Sequence, residues 1–444
     1  MDIKKRLALA LSLLILLSQV LACSPPLPSE EDQPLPSKSQ AVKPLEGETL
    51  YAKTLASPGQ PLKNLSNADL SDAFRQSLWT FASRTSESAL KTDSAGNSLY
   101  SPVSLYYALA MLEAGAAGDT KAQLIDFLAA GKMDPGLELR TLYALMANAR
   151  EGSVEQIANA LWVKEELLSD PERALNPAWL DQLANHFYAS AFAVDFSDPK
   201  TAQTMSRWVE DQTQGKIKPE IDTKDPLLLL VLMNTLYFKA EWAEQFDPDK
   251  LSEPFYLEGG QTAEAAYLTR FMKQRTATRT DRFSALSIQL KNGAVDFILP
   301  AQGLTPESLL ADPAFISDFR QRDQDTIFDV DFKLPVFQYR DKIDVLDKMA
   351  GLGLAAAVTD KPDFSAMYTG EIWVSGISQE TFIALNENGI EAAAYTDIRM
   401  CGSMPPQERE LIEIHLNRPF IYVISDQAGA PLFVGIIRNP AVTN

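Results

Sequence analysis

The sequence predicts a single α+β domain, because helical patterns fill its first half and strand patterns fill its second half. In "DAFRQSLWTFASR", the large apolar residues Phe74, Leu78 and Phe81 recur at the spacing of one helix face. Continuous apolar runs follow later, from "LLLLVLMNTLYFKAEW" at residues 227–242 to "PLFVGIIR" at residues 431–438. Helices that precede strands are typical of an α+β fold, and the absence of an internal repeat or of a linker within this part of the sequence indicates one domain.

The composition indicates a large globular core with an acidic surface. Of the 444 residues, 46% are hydrophobic and 22% are charged, and the formal net charge is −19. Nucleic acids and anionic lipid surfaces attract basic proteins, so this charge argues against both as electrostatic partners. We therefore expect no nucleic-acid partner.

Residues that carry out catalysis or hold metal ions are scarce. The chain has only two histidines, His186 and His415, and two cysteines, Cys23 and Cys401. It also lacks the G-x-S-x-G, H-E-x-x-H, Walker-loop and C-x-x-C patterns that mark nucleophilic, zinc, nucleotide and redox sites. We predict that the protein is not an enzyme and has no catalytic residues, no cofactor and no metal site.

The N-terminus has the pattern of a bacterial export signal. Three basic residues at positions 4–6 precede a short apolar run at positions 7–17, and "VLAC" then resembles a lipobox that ends at Cys23. The apolar run is shorter than a membrane span and ends abruptly. We expect residues 1–22 to be a signal peptide and Cys23 to carry lipid, with plain secretion as the alternative. The protein would then be anchored at the bacterial cell envelope or surface, or else be secreted or periplasmic.

Residues 23–65 have the composition of a flexible tether. The stretch "SPPLPSEEDQPLPSKSQAVKP" is rich in proline, serine and charge and has no aromatic residue. Such a segment buries too little apolar surface to order itself. We expect a lipid-anchored linker over residues 23–65 that joins the anchor to a folded domain at residues 66–444.

A segment near the C-terminus combines a strand pattern with a loop context. In "NENGIEAAAYTDIRM", residues 386–400, small or apolar side chains alternate with mostly polar ones. Alternation with period two is typical of a strand that has one buried and one exposed face. The next residues, "CGSMPPQERE" at 401–410, have the composition of an exposed loop. The segment must therefore be compatible both with an exposed loop and with a strand in a sheet.

Several separated motifs resemble the serpin family, and they occur in the family's order from residue 67 to the end of the chain. They are "NSLYSPVSLYYALAMLEAGAAGDTKAQL" at 97–124, "IANALWV" at 157–163, "WVEDQTQGKI" at 208–217, "MNTLYFKAEW" at 233–242, "NENGIEAAAYT" at 386–396 and "LNRPFIYVI" at 416–424. Each motif is weak alone, whereas the ordered set is specific. The resemblance implies a serpin fold, which is one domain with helices around three β-sheets and an exposed reactive centre loop, here at about residues 387–411.

The resemblance also implies a mechanism that explains the mixed segment. In serpins a protease cleaves the exposed loop, whose N-terminal part then inserts into the large sheet and traps the acylated protease. No charged side chain occupies the inward positions, where it would stall insertion. These positions are Ile390, Ala392, Ala394 and Thr396. We therefore expect a serine-type endopeptidase inhibitor that acts as a suicide substrate. The alternative is a non-inhibitory serpin that serves as a cell-surface binding or carrier protein.

Roles for individual residues follow from the same resemblance. The loop hinge comprises Glu387, Gly389, Ile390, Glu391, Ala392, Ala393, Ala394 and Thr396. The polar shutter beneath the large sheet comprises Ser101, Ser104, Asn234 and Gln379, and Trp242 marks the breach at the top of that sheet. Two positions depart from the family pattern, since Ile390 stands where Thr or Ser is usual and Gln379 stands where His is usual. We expect slower insertion from Ile390 and a satisfied amide at Gln379.

The family spacing from the hinge places the scissile bond at Ser403–Met404. A small residue before the bond suits elastase-like or subtilisin-like proteases with modest pockets. Further options are the bonds Arg399–Met400, Met400–Cys401 and Met404–Pro405. The first of these would suit a trypsin-like protease, and the thiol of Cys401 could engage a cysteine protease. We expect the partner to be a serine protease and the inhibitor to be a monomer.

Overall fold

The computed structural model describes the folded body of the chain in ten segments. They are residues 52–92, 96–147, 151–168, 174–247, 249–320, 325–354, 358, 361–374, 376–390 and 409–442. Within these residues, nine α-helices and sixteen β-strands form one compact unit, which confirms the predicted α+β class. No helix in these segments is both long enough and apolar enough to cross a bilayer.

Most of the helices lie in the first half of the chain, as the sequence predicts. They are α1 (Asp72–Leu90), α2 (Pro102–Ala114), α3 (Gly118–Phe127), α4 (Pro135–Met146), α5 (Pro177–His186), α6 (Pro199–Gln212), α7 (Pro306–Leu310), α8 (Phe315–Arg320) and α9 (Val345–Lys348). Five of them, α2, α4, α5, α6 and α7, begin with a capping side chain followed by proline. The capping oxygen satisfies a free backbone N–H at the helix start, and proline has none to satisfy.

The strands lie mainly in the second half of the chain. They are β1 (Lys53–Ala56), β2 (Ser98–Tyr100), β3 (Ser153–Lys164), β4 (Ala189–Val194), β5 (Leu230–Glu241), β6 (Leu251–Tyr256), β7 (Thr262–Arg279), β8 (Phe283–Leu290), β9 (Gly293–Pro300), β10 (Asp325–Pro335), β11 (Phe337–Asp344), β12 (Ser378–Asn386), β13 (Gly389–Ile390), β14 (Leu411–His415), β15 (Phe420–Ser425) and β16 (Pro431–Ile437).

These strands form two hydrogen-bonded sheets. The seven-stranded sheet has the order β1-β4-β3-β5-β13-β12-β11. The nine-stranded sheet has the order β14-β10-β7-β8-β9-β15-β16-β2, with β6 also paired to β7. Strand β7 is 18 residues long and pairs with β6 and β10 along most of its length, but with β8 only at its last residues. Two of the three sheets that the resemblance implies are therefore joined into one through β7.

Two apolar clusters cover the two faces of the seven-stranded sheet. The larger core contains side chains of both sheets and of α1, α2 and α4. The smaller cluster lies between the opposite face and α6. There, Trp162 of β3 stacks on Phe192 of β4 at 4.6 Å and meets Trp208 of α6 edge-on at 6.4 Å. We call the face that carries α6 the outer face.

The predicted linker ends earlier than the sequence indicates. Residues 53–56 form β1, which pairs with β4 at the edge of the seven-stranded sheet. The Gly59 N–H then donates to the Ala184 carbonyl at 2.8 Å, and the Leu62 N–H donates to the Tyr188 hydroxyl at 3.3 Å. The linker interpretation is therefore wrong for residues 53–62, because an open strand edge supplies backbone partners that composition does not reveal. The predicted signal peptide and Cys23 lie outside the described residues.

Candidate functional site

The shutter forms at the start of α2. Ser101 is the N-cap residue of this helix, and its Oγ accepts a hydrogen bond from the Ser104 N–H at 3.2 Å. Pro102 occupies the first helical position, where a missing N–H leaves no partner unsatisfied. Because both serines are buried, the polar atoms that they present to the sheet need partners within the protein.

Two strands of the large sheet supply those partners. On β12, Gln379 Oε1 accepts from the Ser101 N–H at 2.7 Å and Gln379 Nε2 donates to the Ser101 carbonyl at 3.0 Å. On β5, Asn234 Oδ1 accepts from Ser104 Oγ, and Asn234 Nδ2 donates to Asn159 Oδ1 at 2.6 Å. The structure thus brings the four predicted shutter residues together and adds Asn159 of β3. The sequence alone does not single out Asn159, since its partners come from other strands.

A seam divides the seven-stranded sheet between β5 and β12. At its top, Ile390 of β13 pairs with Ala240 of β5 and Leu385 of β12, and its side chain is only 2% exposed. Among the described residues, β13 is the only strand that joins β5 to β12. Beyond β13, the two strands border an opening that is lined by Tyr237 on one side and by Phe382 on the other. The seam lies where the resemblance implies loop insertion.

Gly389 is required by the way in which β13 enters the sheet. Its φ angle is +144°, in a region that residues with a side chain rarely adopt. A Cβ atom at this position would collide with the Ala240 carbonyl oxygen and lie 2.8 Å from Glu241 Cα. The predicted hinge glycine therefore permits a close backbone approach as well as an unusual conformation.

Trp242 binds the turn from which the hinge emerges. Its indole Nε1 donates to the Asn386 carbonyl at 2.9 Å, and its backbone N–H donates to the Asn388 carbonyl at 3.1 Å. The side chain is 1% exposed and packs edge-on against Phe246, with ring centroids 5.3 Å apart. The predicted breach residue thus fixes the hairpin that β12 and β13 form.

Two ion pairs flank the hinge. Lys250 Nζ lies 2.7 Å from Glu387 Oε2, and Lys291 Nζ lies 2.6 Å from Glu241 Oε2. Partial burial opposes ionisation of Glu387, but the hydrogen bond from Lys250, the hydrogen bond from the residue's own backbone and the charge of Lys250 outweigh it and lower the pKa of this carboxyl. Glu241 is 5% exposed and is the strand partner of Gly389. The sequence identifies Glu387 as a hinge residue, whereas its partner and the second pair emerge only from the fold.

Part of the hinge and the whole predicted cleavage region lie outside the described residues. Of the hinge, the structure describes Glu387, Gly389 and Ile390. Outside the description lie Glu391, Ala392, Ala393, Ala394, Thr396, Arg399, Met400, Cys401, Ser403 and Met404. The description resumes at residue 409, shortly before β14, which pairs in parallel with β10. The expectation of slower insertion from Ile390 stays a prediction.

Comparison with known proteins identifies the family of the chain. The family profile described as "Serpin (serine protease inhibitor)" matches residues 76–440. This chain belongs to the serpin family. The serpin is 31% identical over 376 residues to Serpin-Z1A of Triticum aestivum, and the alignment covers 79% of this chain and 92% of the relative. Serpins are typically protease inhibitors and are not catalytic enzymes.

Solved structures share the fold of this serpin. The native state of tengpin, a thermophilic serpin, is 24% identical and superposes with a TM-score of 0.74, covering 88% of this chain and 100% of tengpin. Human thyroxine-binding globulin is 22% identical and superposes with a TM-score of 0.71, covering 83% of this chain and 100% of the globulin. At these identities the likeness concerns the fold alone, and it confirms the serpin architecture.

Proposed function

We propose that this serpin inhibits a serine protease by inserting its cleaved loop into the seam between β5 and β12. The place of β13 is the observation that carries the proposal. Ile390 is hydrogen-bonded into both flanking strands, so the chain enters the sheet at the top of the seam. Cleavage farther along the loop would let the following residues extend β13 as a central strand.

The two ends of the loop are held in different sheets. Its N-terminal end is β13 in the seven-stranded sheet, and its C-terminal end leads to β14 in the nine-stranded sheet. An intact loop is therefore tethered at both ends, and cleavage removes one tether. Each new ladder hydrogen bond contributes roughly 0.5–1.5 kcal/mol, so about a dozen of them favour insertion by on the order of 10 kcal/mol.

The register of β13 supports the alternation in the loop sequence. Extending the pairing of Ile390 by six residues would place Thr396 opposite Asn234 on β5 and Gln379 on β12. Both of these residues belong to the shutter, so the Thr396 hydroxyl would meet polar partners. The inward alanines between Ile390 and Thr396 would face the same side as the buried Ile390 side chain.

A gel assay tests the proposal. Mixed with subtilisin, elastase or trypsin, the protein should form a band that survives SDS at the summed mass with at least one of them. Ala394→Arg should lose this band and be cleaved as a substrate, because a charge at an inward position would have to be buried. Tyr395→Arg, at the next outward position, is the matched control and should keep it. An undiminished complex with Ala394→Arg would contradict the insertion mechanism.

The target class depends on the bond that is cut. Cleavage at Ser403–Met404 would indicate an elastase-like or subtilisin-like target, and cleavage at Arg399–Met400 a trypsin-like one. Mass spectrometry of the fragment released from the complex would distinguish these bonds. It would also show whether the bond beside Cys401 is used.

A non-inhibitory serpin that binds or carries another molecule at the cell surface is the second candidate. The observation that favours it is Ile390, which is bulkier than the Thr or Ser usual at this hinge position. Under this alternative the loop would be cut without insertion. The cleaved protein would then melt no higher than the intact one, whereas insertion should raise its melting temperature.

We further propose that the serpin is exported as a monomer and anchored through lipid on Cys23, after removal of residues 1–22 as a signal peptide. The lipobox-like sequence supports this proposal. Because β1 begins at Lys53, the free tether would comprise residues 23–52. About 30 residues at ~3.3 Å each reach on the order of 100 Å, enough to hold the domain clear of a membrane. Cys23→Ser should shift the protein from the membrane fraction to the soluble fraction, and unchanged fractionation would contradict the anchor.

A further inference from the structure

Below β13, a side-chain contact crosses the seam. The Phe382 ring of β12 is approached by two cations, with Lys216 Nζ 5.6 Å and the Arg340 guanidinium carbon 5.6 Å from the ring centroid. Arg340 lies on β11 as the direct strand partner of Phe382, so its contact stays on one side of the seam. Lys216 instead follows α6 in the chain and reaches Phe382 from the other side.

The turn that carries Lys216 is fixed to α6 and through it to β3. The Lys216 N–H donates to the Thr213 carbonyl at 3.0 Å, and the Thr213 hydroxyl donates to the Val209 carbonyl of α6 at 2.8 Å. At the end of α6, Gln212 Oε1 accepts from Gln156 Nε2 of β3 at 3.0 Å. The Lys216–Phe382 contact therefore connects the β3–β5 side of the sheet to the β12 side.

The contact lies over the path that a strand continuing from β13 would take. Counting three residues from the pairing of Ile390, such a strand would pass between Tyr237 of β5 and Phe382 of β12. Tyr237 pairs with Gln156, whose side chain binds α6, so this is the outer face of the sheet. Lys216 lines the same opening as Tyr237 and Phe382. An inserting chain would thus pass directly beneath the lysine.

We propose that Lys216 and Phe382 form a latch whose opening limits the rate of strand insertion into the seam. This inference rests on the proposed function and adds two positioning residues to it. Removing the cation from the ring should let the two sides of the seam separate more readily. The attraction between a cation and a partly buried aromatic ring is large enough that its loss should speed insertion about fivefold.

Uptake of a synthetic peptide tests the latch without a protease. The peptide "EAAAYTDIR", the sequence of residues 391–399, is mixed with the full-length protein, and its uptake is followed by native gel and by the rise in melting temperature. Lys216→Met should take up the peptide about fivefold faster than the wild type. Lys216→Arg keeps a cation over the ring and should restore the wild-type rate. Arg340→Met removes the cation that does not cross the seam, so it should also leave the rate unchanged.

The outcomes separate the latch from the proposed function. A wild-type rate for Lys216→Met, or an equal acceleration by Arg340→Met, overturns the latch while peptide uptake by the wild type still supports insertion. If the wild-type protein takes up no peptide and gains no thermal stability, the insertion mechanism and the latch both fail.

Discussion

Gln379 on β12 binds the backbone of Ser101 with both ends of its side-chain amide, accepting from the Ser101 N–H at 2.7 Å and donating to the Ser101 carbonyl at 3.0 Å. The two bonds connect β12 to the N-cap residue of α2. Asn234 ties β5 to the same helix start through Ser104. Both flanks of the seam are thus attached to one point beneath it, and that point must adjust when the flanks move apart.

Gln379→Leu should lower the stability of the intact protein by about 1–3 kcal/mol, because it leaves the N–H and the carbonyl of the buried Ser101 without their side-chain partners. The measurement is the thermal unfolding midpoint of uncleaved protein at a fixed scan rate. Gln338→Leu, at an exposed position on neighbouring β11, is the matched control. Equal midpoints for the two variants would show that the amide does not hold the strand.

Gly389→Ala should expel β13 from the sheet. The substitution places a methyl group against the Ala240 carbonyl and demands a φ angle of +144°. We expect hydrogen exchange at Ile390 to accelerate strongly and the inhibitory complex to form less efficiently. Gly376→Ala is the control, since a Cβ atom there meets nothing within 4 Å. Retained protection at Ile390 would argue against a steric need for glycine.

The hinge should loosen in acid. Lys250 lowers the pKa of Glu387 below its ordinary value of 4.5, so the folded state releases this proton more readily than the unfolded state does. The stabilisation is therefore complete above the ordinary value and is lost as pH falls through the lower, folded value. Hydrogen exchange of residues 386–390, corrected for intrinsic rates, should show constant protection at neutral and mildly acidic pH and a decline once the pH falls below the ordinary value.

Lys250→Met should reduce that pH dependence and weaken the protection of residues 386–390 already at neutral pH, because only the backbone hydrogen bond of Glu387 would still lower its pKa. Lys218→Met removes a lysine from an exposed pair with Glu210, away from the hinge, and serves as the control. An acid transition that persists undiminished in Lys250→Met would assign the effect to another group.

Asp426 should make stability fall as pH rises. Burial raises the pKa of this carboxyl to about 6, although it accepts a hydrogen bond from the Ala430 N–H at 2.6 Å. The folded state then holds the proton more tightly than the unfolded state, so its contribution is present below about pH 4 and is lost as pH rises through 6. Asp426→Asn should flatten the stability profile over this interval, and the exposed Asp181→Asn should not. A profile unchanged by Asp426→Asn would contradict the assignment.

Local patterns were sufficient for elements that are set by their own residues. The helical spacing of Phe74, Leu78 and Phe81 matches α1, where these side chains are buried. The apolar run at 227–242 contains β5. The ordered motifs then assigned the shutter, the breach and the first hinge residues, which the structure places along one seam.

Features that depend on neighbouring strands were not predictable from local patterns. The composition before residue 65 is that of a tether and does not indicate β1, because the backbone hydrogen bonds between β1 and β4 require no particular side chain. Asn159 and Lys250 likewise acquire partners only when distant strands and loops become adjacent. The Lys216–Phe382 contact is also of this kind, because the two residues are far apart in the sequence and neither lies in a pattern that indicates the other.

The edge position of β1 also decides how the domain would respond to a pull on the proposed anchor. Lys53, the residue nearest the tether, is the first to pair with β4, so a pull directed away from the sheet edge would strain the strand's bonds one after another instead of sharing the force among them. Bonds strained in sequence give way at a smaller force than bonds that share it. Strand β1 would separate from β4 and lengthen the tether before any load reached the rest of the seven-stranded sheet. A pull on the proposed anchor would then detach one four-residue edge strand and leave the pairing of β5, β13 and β12 at the seam unchanged.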